Sequence, residues 1–311
     1  MELLTSSEQW QALLTDHLRS GSKPLIVILG PTASGKTDFS INVAKFIGNA
    51  EIINADSRQL YRYMNVGTAK VTDHEKQGIV HHLIDLLDPK EDVSVAWYKE
   101  HATKIIDDCH RRGVVPILVG GSMLYISAVV DGLDPLPPPD PDVRKKLEAE
   151  WDKDDGFSLY DKLVSIDPTT AQNFQHQNKR YVVRAMELYE KFHVPPSQLK
   201  KTIPPPYQTL MFGLSWPREE LTNRIDARTK KLLDAGWIEE VEGLLDRGYT
   251  MQDPGMKSHG YREIVGWLSA DEQDKEQLAA IIAAKTRQYA KRQMTWWGND
   301  DRIRWIDTRQ L

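Results

Sequence analysis

The segment Gly30–Thr37 has the sequence GPTASGKT and follows the apolar run LIVIL. It matches G-x-x-x-x-G-K-[ST], a loop whose glycines let the backbone amides point inward around phosphate groups. In such a loop Lys36 brings a positive charge to the terminal phosphates, and the Thr37 hydroxyl can ligate Mg²⁺. A helix starting near Lys36 would add its positive end. The segment therefore predicts a phosphate-binding loop.

A carboxylate is predicted beside this loop, in a place unusual for a nucleotide hydrolase. Hydrolases of this kind carry an apolar strand ending in Asp, which anchors magnesium and water. Here the most apolar strand, VVPILVGG, ends in Gly120 and Gly121, and Ser122 follows. The strand that does end in an acid is AEIINAD, at Asp56. Asp56 could act as a general base on another bound molecule or cap a turn, and spacing alone leaves both open.

The elements that must position these residues alternate between strand and helix. In the first half, the buried strands PLIVIL, AEIINAD and VVPILVGG alternate with segments of helical periodicity. Gly48 is predicted to end the first of these helices, and Ser94 is predicted to cap a later one. Such alternation predicts a parallel sheet covered by helices on both faces. The predicted fold class is therefore α/β: a parallel sheet like that of P-loop NTPases, flanked by helices.

Two Pro-rich segments, LDPLPPPDPDV and KKTIPPPYQ, divide the chain. The sequence between them is polar with helical periodicity, and strand character returns at TLMFGLSW. We therefore expect a helical N-terminal extension at 1–22, an α/β core with C-terminal helices at 23–135 and 205–311, and an all-helical insertion domain at 136–204.

Composition is typical of a soluble globular protein, with 311 residues, 40% hydrophobic and 27% charged. Cys109 is the single cysteine, which excludes an internal disulfide framework and a Cys-rich zinc module. It is expected to be a buried small residue in a cytoplasmic protein. No apolar run approaches ~20 residues, so no membrane span is expected.

The chain has a net charge of −5, but two of its segments are basic. Residues 285–309 contain seven Lys or Arg against three Asp, and residues 178–201 contain six against two Glu. Such zones on an acidic background are compatible with a directed RNA footprint. Charge counting alone favours two solvated helix faces.

Six sequence blocks appear in an order that resembles one family. They are GPTASGKT, NADSRQLYRYMNVGTAK, HHLIDLLDP, PILVGGSMLY, HGYREI and YAKRQMTWW. Together they resemble the bacterial tRNA dimethylallyltransferases, also called tRNA isopentenyltransferases, from about Leu25 to Trp305. The resemblance implies transfer of a dimethylallyl group from dimethylallyl diphosphate to N6 of the adenosine 3′-adjacent to the anticodon of tRNA. It also implies Mg²⁺ as cofactor, and a loop that grips the diphosphate of the prenyl donor.

The same resemblance assigns roles to individual residues. Asp56 matches the base, and Ser122 stands where the family usually has Thr. The implied catalytic residues are Asp56, Lys36, Arg224 and Ser122, with Thr37 as metal ligand. The implied diphosphate-binding residues are Gly30, Thr32, Ala33, Ser34, Gly35, Lys36, Thr37 and Arg224.

The implied RNA contacts form four groups. They are Asp56, Ser57, Arg58, Gln59 and Ser122 near the target base, Asn178, Lys179 and Arg180 in the insertion, Lys257, His259, Gly260, Tyr261 and Arg262, and finally Arg287, Lys291 and Arg292. The partners are thus the tRNA anticodon stem-loop and dimethylallyl diphosphate, and we expect a monomer.

Three other functions share some of these features. A nucleoside or nucleotide kinase with a helical lid has a similar loop and insertion, and an ATP-switched RNA-binding protein would need no chemistry. A prenyltransferase acting on free adenine nucleotides would use the same donor. The block around Asp56 and the basic C-terminal helix favour tRNA over a free nucleotide.

Overall fold

The computed structural model describes residues 3–132, 136–137, 140–199, 204–271 and 273–310. The chain forms two compact units: Met1–Val130 with Pro206–Leu311, and Asp131–Pro205. The boundaries between the units lie in or beside the two Pro-rich segments.

The first unit is built on a seven-stranded, all-parallel sheet, which confirms the predicted sheet type. Its strand order is β1-β7-β6-β2-β5-β3-β4. The strands are β1 Leu3–Leu4, β2 Pro24–Leu29, β3 Ala50–Ala55, β4 His81–His82, β5 Val115–Gly120, β6 Gln208–Ser215 and β7 Ile303–Asp307.

The central strand β2 shows why the sheet is buried on both faces. Leu25, Val27 and Leu29 belong to one hydrophobic cluster, whereas Ile26 and Ile28 belong to a second. Because successive side chains of a strand point to opposite faces, an uninterrupted apolar run serves two cores at once.

Helices cover the sheet, and several begin and end at the predicted signals. Ser94 accepts a hydrogen bond from the backbone N–H of Trp97 and caps α4, and α2 ends at Gly48. The helices of this unit are α1 Ser7–Ser20, α2 Lys36–Ile47, α3 Asp73–Lys76, α4 Val95–Arg111, α5 Met123–Val130, α11 Arg218–Asp234, α12 Trp237–Asp246, α13 Tyr261–Leu268 and α14 Lys275–Trp297. No helix within the described ranges is both long enough and apolar enough to cross a bilayer.

The N-terminal extension is part of the α/β unit. Its helix α1 was expected, but β1 was not: Leu3 and Leu4 pair with β7 at the edge of the sheet. Trp10 of α1 is 4% exposed and packs edge-on against Phe39 and Phe46, with ring centroids 5.4 and 5.5 Å away. A two-residue strand has no periodicity to detect, which is why the sequence did not predict it.

The second unit is helical and has its own core. Its helices are α6 Pro141–Trp151, α7 Phe157–Ile166, α8 Pro168–Ala171, α9 Lys179–Phe192 and α10 Pro196–Leu199. Asp140 and Asp167 cap α6 and α8. Leu147, Leu163 and Val182 are fully buried in the centre of this unit. The predicted helical character of the insertion is therefore confirmed for the described residues.

The packing of Trp10 predicts that the N-terminal helix stabilises the fold. Removing a large buried aromatic side chain typically costs about 3–5 kcal/mol, so we expect Trp10→Ala to lower the free energy of unfolding by about 3 kcal/mol. The measurement is urea denaturation followed by far-UV circular dichroism.

The matched control is Trp296→Ala, because Trp296 is 49% exposed. An exposed substitution of this kind should stay within about 0.5 kcal/mol of the wild type. Equal stability of both variants would show that α1 contributes nothing to the core.

Candidate active site

Three loops that carry predicted catalytic groups begin at the same edge of the sheet. The phosphate loop follows Leu29 of β2, Asp56 follows Ala55 of β3, and Ser122 follows β5. Gly120, the last residue of β5, pairs in register with both Leu29 and Ala55. The carboxyl edge of a parallel sheet is the usual ligand site of such folds. Groups that are distant in sequence therefore meet at one place.

The phosphate-binding loop turns through three residues with positive φ: Gly30 at 146°, Ala33 at 64° and Gly35 at 91°. A Cβ atom at Gly30 would lie 3.0 Å from the carbonyl oxygen of Leu214. Both the positive φ and this lack of space therefore favour glycine at position 30. Helix α2 begins immediately after Gly35. Amides of its first turn have no partner within the helix, and they are available to an anion.

Lys36 lies at the start of α2 and turns back over the loop. Its Nζ donates hydrogen bonds to the carbonyl oxygens of Gly30, at 3.1 Å, and Pro31, at 2.7 Å. Burial, assisted by the positive charge of Arg228, lowers the pKa of Lys36 to about 7, while the charge of Asp56 opposes the shift. The charged form of Lys36 would therefore be stabilised by a nearby anion.

Asp56 caps a turn, which is one of the two roles that its sequence context left open. Its Oδ1 accepts a hydrogen bond of 2.8 Å from the backbone N–H of Arg58, which is a turn cap. The backbone N–H of Asp56 donates to Oδ1 of Asn54, whose Nδ2 donates to the Asp56 carbonyl, both at 3.0 Å. The turn fixes the carboxylate, and no hydrogen-bond donor in the described part of the chain engages its Oδ2. That oxygen can accept a proton from a ligand.

Ser122 is tied to the segment that follows β3. Its Oγ accepts a hydrogen bond of 2.9 Å from the backbone N–H of Ser57, and its own N–H donates to Ala55 at 3.1 Å. These contacts hold Ser122 next to Asp56. The serine that replaces the usual family threonine therefore has a structural contact through its hydroxyl.

Helix α11 places two arginines near the phosphate loop, and only Arg224 was predicted from the sequence. Nε of Arg224 donates to the carbonyl oxygen of Ala33 at 3.0 Å, and its guanidinium lies over the Trp216 ring, 4.1 Å from the centroid. Nε1 of Trp216 donates to Ser34 at 3.1 Å, so both residues attach α11 to the phosphate loop. Arg228 lies one turn further along. Burial lowers its pKa, and the Asp56 carboxylate opposes that shift. The sequence does contain a signal for Arg228, because residues four apart on a helix lie on the same face and Arg228 follows Arg224 by four.

Comparison with known proteins places this arrangement in a family. Residues 59–300 match the family described as IPP transferase. A tRNA dimethylallyltransferase from Roseiflexus castenholzii is 41% identical over 275 residues, covering 88% of this chain and 89% of the relative. This chain belongs to the IPP transferase family.

Solved structures agree with this assignment. A full-length tRNA isopentenylpyrophosphate transferase from Bacillus halodurans is 37% identical, with a TM-score of 0.68 over 92% of this chain and 90% of that one. A eukaryotic dimethylallyltransferase, described in crystallographic snapshots acting on tRNA, is 28% identical, with a TM-score of 0.76 over 92% of this chain and 74% of that one. The family resemblance, the fold class and the enzyme class inferred from the motifs are confirmed.

In this IPP transferase, the block that ends in NVGTAK is held by an acid that sequence reasoning missed. The Glu240 carboxylate accepts hydrogen bonds from the backbone N–H groups of Asn65, Val66 and Gly67, at 2.6 to 3.1 Å. It also accepts one of 2.6 Å from the Tyr261 hydroxyl. Glu240 thus joins the NVGTAK and HGYR blocks. From sequence it is only an acid in the first turn of α12.

The prediction that Tyr261 and Gly260 contact tRNA needs correction. Tyr261 is fully buried, and its hydroxyl is engaged by Glu240. Gly260 is buried too, and a Cβ atom there would lie 1.9 Å from the Trp237 ring. Both residues support the loop from inside. Their neighbours Lys257, His259 and Arg262 are exposed and keep the predicted role as a hypothesis.

The remaining predicted RNA contacts differ in whether their side chains already form ion pairs or hydrogen bonds within the protein. Lys291 and Arg292 of α14 are exposed, as are Asn178 and Arg180 of the insertion. In contrast, Arg287 forms an ion pair with Asp226, and Lys179 forms one with Asp152. Arg58 and Gln59 are half-buried and donate to backbone carbonyls of Pro254 and of Thr68 and Ala69, respectively.

One group of side chains in the described residues has the composition of a metal site, but its chemistry indicates an ion-pair network. Glu51, His82 and Cys109 bring their ligand atoms within 4.8 Å of one another. The Glu51 carboxylate, however, accepts two hydrogen bonds of 2.7 Å from the Arg112 guanidinium. Burial raises the pKa of Cys109 to about 12, so the thiol stays neutral. His82 belongs to the same network through its Nε2, which lies 2.7 Å from the Glu51 carboxylate, and magnesium would favour other ligands.

The lowered pKa of Lys36 predicts that binding of inorganic diphosphate takes up a proton. With a pKa of about 7, about half of the Lys36 side chains are neutral at pH 7, and a bound anion favours the charged form. We expect the wild type to take up about 0.5 proton more than Lys36→Arg, whose guanidinium is always charged. Its affinity should weaken as the pH rises through 7. Calorimetry in two buffers of different ionisation enthalpy measures the uptake.

The Lys36→Arg control subtracts protonation of the diphosphate itself, which is common to both proteins. If both take up the same number of protons, Lys36 does not exchange a proton when the anion binds.

Proposed function

We propose that this chain transfers the dimethylallyl group from dimethylallyl diphosphate to N6 of the adenosine 3′-adjacent to the anticodon of tRNA, and releases diphosphate. It acts as a monomer in the cytoplasm. The observation that carries the proposal is the position of Asp56, a carboxylate fixed beside the phosphate loop with one oxygen available to a ligand. The names of the relatives support the same reaction.

The phosphate loop and the cations beside it stabilise the leaving group, which is diphosphate. As N6 attacks C1 of the dimethylallyl group, the C1–O bond breaks and negative charge develops on the diphosphate oxygens. Loop amides, Lys36, Arg224 and Arg228 are grouped where they stabilise that charge. Charge stabilisation by preorganised donors is commonly the largest contribution to catalysis.

Asp56 removes a proton from the nucleophile, the N6 amine of adenosine. The adenine amine is a weak nucleophile because its lone pair is delocalised into the ring. A base that takes a proton from N6 during attack leaves neutral N6-isopentenyladenosine and a protonated Asp56, which then loses its proton to solvent. The Arg58 amide holds Oδ1, so Oδ2 is the oxygen that accepts the proton.

Magnesium fits the oxygen donors at this site. The Thr37 hydroxyl is exposed in the first turn of α2, and Mg²⁺ binds phosphate oxygens together with few protein ligands. Thr37 would hold the ion jointly with the donor's diphosphate. When bound, the ion supplies positive charge that neutralises the departing diphosphate.

The RNA must present its adenine outside the base stack, because the amine has to reach C1 of the donor. Unpaired bases of RNA loops are recognised by stacking and by hydrogen bonds to their edges, with basic side chains on the backbone. The exposed residues Lys257, Arg262, Lys291 and Arg292, together with Arg180 of the insertion, supply such charges.

A direct assay tests the function. Radiolabelled dimethylallyl diphosphate is incubated with the protein and either tRNA or AMP. We expect label in tRNA and none in AMP. Label in AMP alone would indicate the free-nucleotide reaction. Micromolar competition by ATP for the donor would favour a kinase.

Asp56→Asn tests the base. Asparagine keeps an Oδ1 that can accept the Arg58 hydrogen bond, so the turn should persist. Loss of a general base typically costs ~10²–10⁴-fold, and we expect a fall in kcat of that size with donor and tRNA affinity retained. Single-turnover kinetics and filter binding measure the two quantities. Weaker donor binding with an unchanged kcat would remove Asp56 from this role.

Arg180 and Lys179 test the RNA contact of the insertion. Each phosphate contact releases counterions, so its loss lowers the salt dependence of binding. We expect Lys179→Gln/Arg180→Gln to raise the KM for tRNA and reduce the slope of log K against log salt by roughly one unit per lost contact. Donor affinity should stay unchanged.

Filter binding across a salt series measures the slope. The control is Arg19→Gln, an exposed cation of α1 outside the predicted RNA contacts. An unchanged slope in the double variant would mean that these two residues form only a solvated helix face.

A further inference from the structure

Gln293 is a polar side chain in the core of the α/β unit. It lies on α14 and is 1% exposed. Its Oε1 accepts a hydrogen bond of 3.0 Å from the backbone N–H of Thr32, and its Nε2 donates one of 2.8 Å to the carbonyl oxygen of Gly121. Both ends of one buried amide are therefore used by two different loops.

These two loops define the candidate active site. Thr32 lies within the phosphate loop after β2, and Gly121 lies between β5 and Ser122. A Cβ atom at Gly121 would come within 2.4 Å of the Gln293 Nε2, so the glycine permits the close approach. Tyr289, one turn earlier on α14, donates to the same Gly121 carbonyl at 3.1 Å.

A buried amide is a costly way to fill a core position. An apolar side chain of similar length would fill the volume without burying polar atoms, which cost free energy unless they are hydrogen-bonded. Both hydrogen bonds of the Gln293 amide are made with backbone groups of the two loops. The contact takes one loop amide, that of Thr32, away from the ligand and ties it to a rigid 23-residue helix. Supports of this kind hold a site in its productive geometry.

We propose that Gln293 is a positioning residue for the phosphate-binding loop. Its amide fixes the loop where the chain enters it, so that the remaining amides and Lys36 converge on the diphosphate of the donor. Gln293 itself does not touch the substrate. The proposal rests on the proposed function only in naming that donor, since inorganic diphosphate probes the same loop.

The test compares Gln293→Met with Ile282→Ala. Methionine keeps the length and apolar volume but makes neither hydrogen bond. Ile282 is 1% exposed on the same helix and belongs to the core cluster, so its truncation weakens packing of α14 without removing a contact to either loop. We expect Gln293→Met to weaken diphosphate binding and raise the donor KM about 10-fold, with the tRNA KM within about twofold of the wild type. Ile282→Ala should lower the unfolding midpoint and leave the donor KM unchanged.

Gln293→Asn is the second variant and keeps the test decisive if methionine impairs folding. The shorter amide can reach at most one of its partners, so its donor KM should lie between the wild-type and Gln293→Met values. An unchanged diphosphate Kd in a folded Gln293 variant would overturn the proposal. So would equal changes in donor KM for the Gln293 variants and Ile282→Ala. If the wild type binds diphosphate but prenylates no tRNA, the proposed function fails while the binding comparison still decides the role of Gln293.

Discussion

The in-register pairing of β5 with both β2 and β3 is the constraint on which the site depends. Gly120 faces Leu29 on one side and Ala55 on the other, so the three loops that follow leave the sheet at one level. A Cβ atom at Gly120 would lie 2.2 Å from the Ala55 carbonyl oxygen, so the strand ends pack too closely for any side chain. This pairing brings the phosphate loop, Asp56 and Ser122 to the same edge of the sheet.

Charge at this edge is arranged for an anion. Lys36 and Arg228 lie close enough to the Asp56 carboxylate to interact with it, and burial lowers the pKa of both. Arg224 is attached to the phosphate loop at Ala33. Grouping partly desolvated cations costs free energy when the protein folds. A diphosphate that enters the loop compensates these charges, so part of that cost becomes affinity for the donor and for the charge that develops on it.

The sequence predicted those parts of the structure that depend on local patterns. Strands with uninterrupted apolar runs, helices capped by Ser94 or ended by Gly48, and the phosphate loop all follow from nearby residues. Contacts over long sequence separations were missed. Gln293 reaches Thr32 across 261 residues, and Glu240 reaches Asn65 across 175. Tyr261 was misassigned because motif matching shows that a residue recurs in a family but not whether its side chain faces solvent or the core.

The end of β5 explains how a loop familiar from nucleotide hydrolysis can serve group transfer. In hydrolases an acid at this strand end anchors magnesium and water. Here Gly120 packs against β3, and the Gly121 carbonyl accepts hydrogen bonds from Tyr289 and Gln293 of α14. A side chain at Gly120 would collide with the backbone of Ala55, so the pairing of these strands excludes an acid at the end of β5. The carboxylate stands one strand further along, at Asp56, which follows β3.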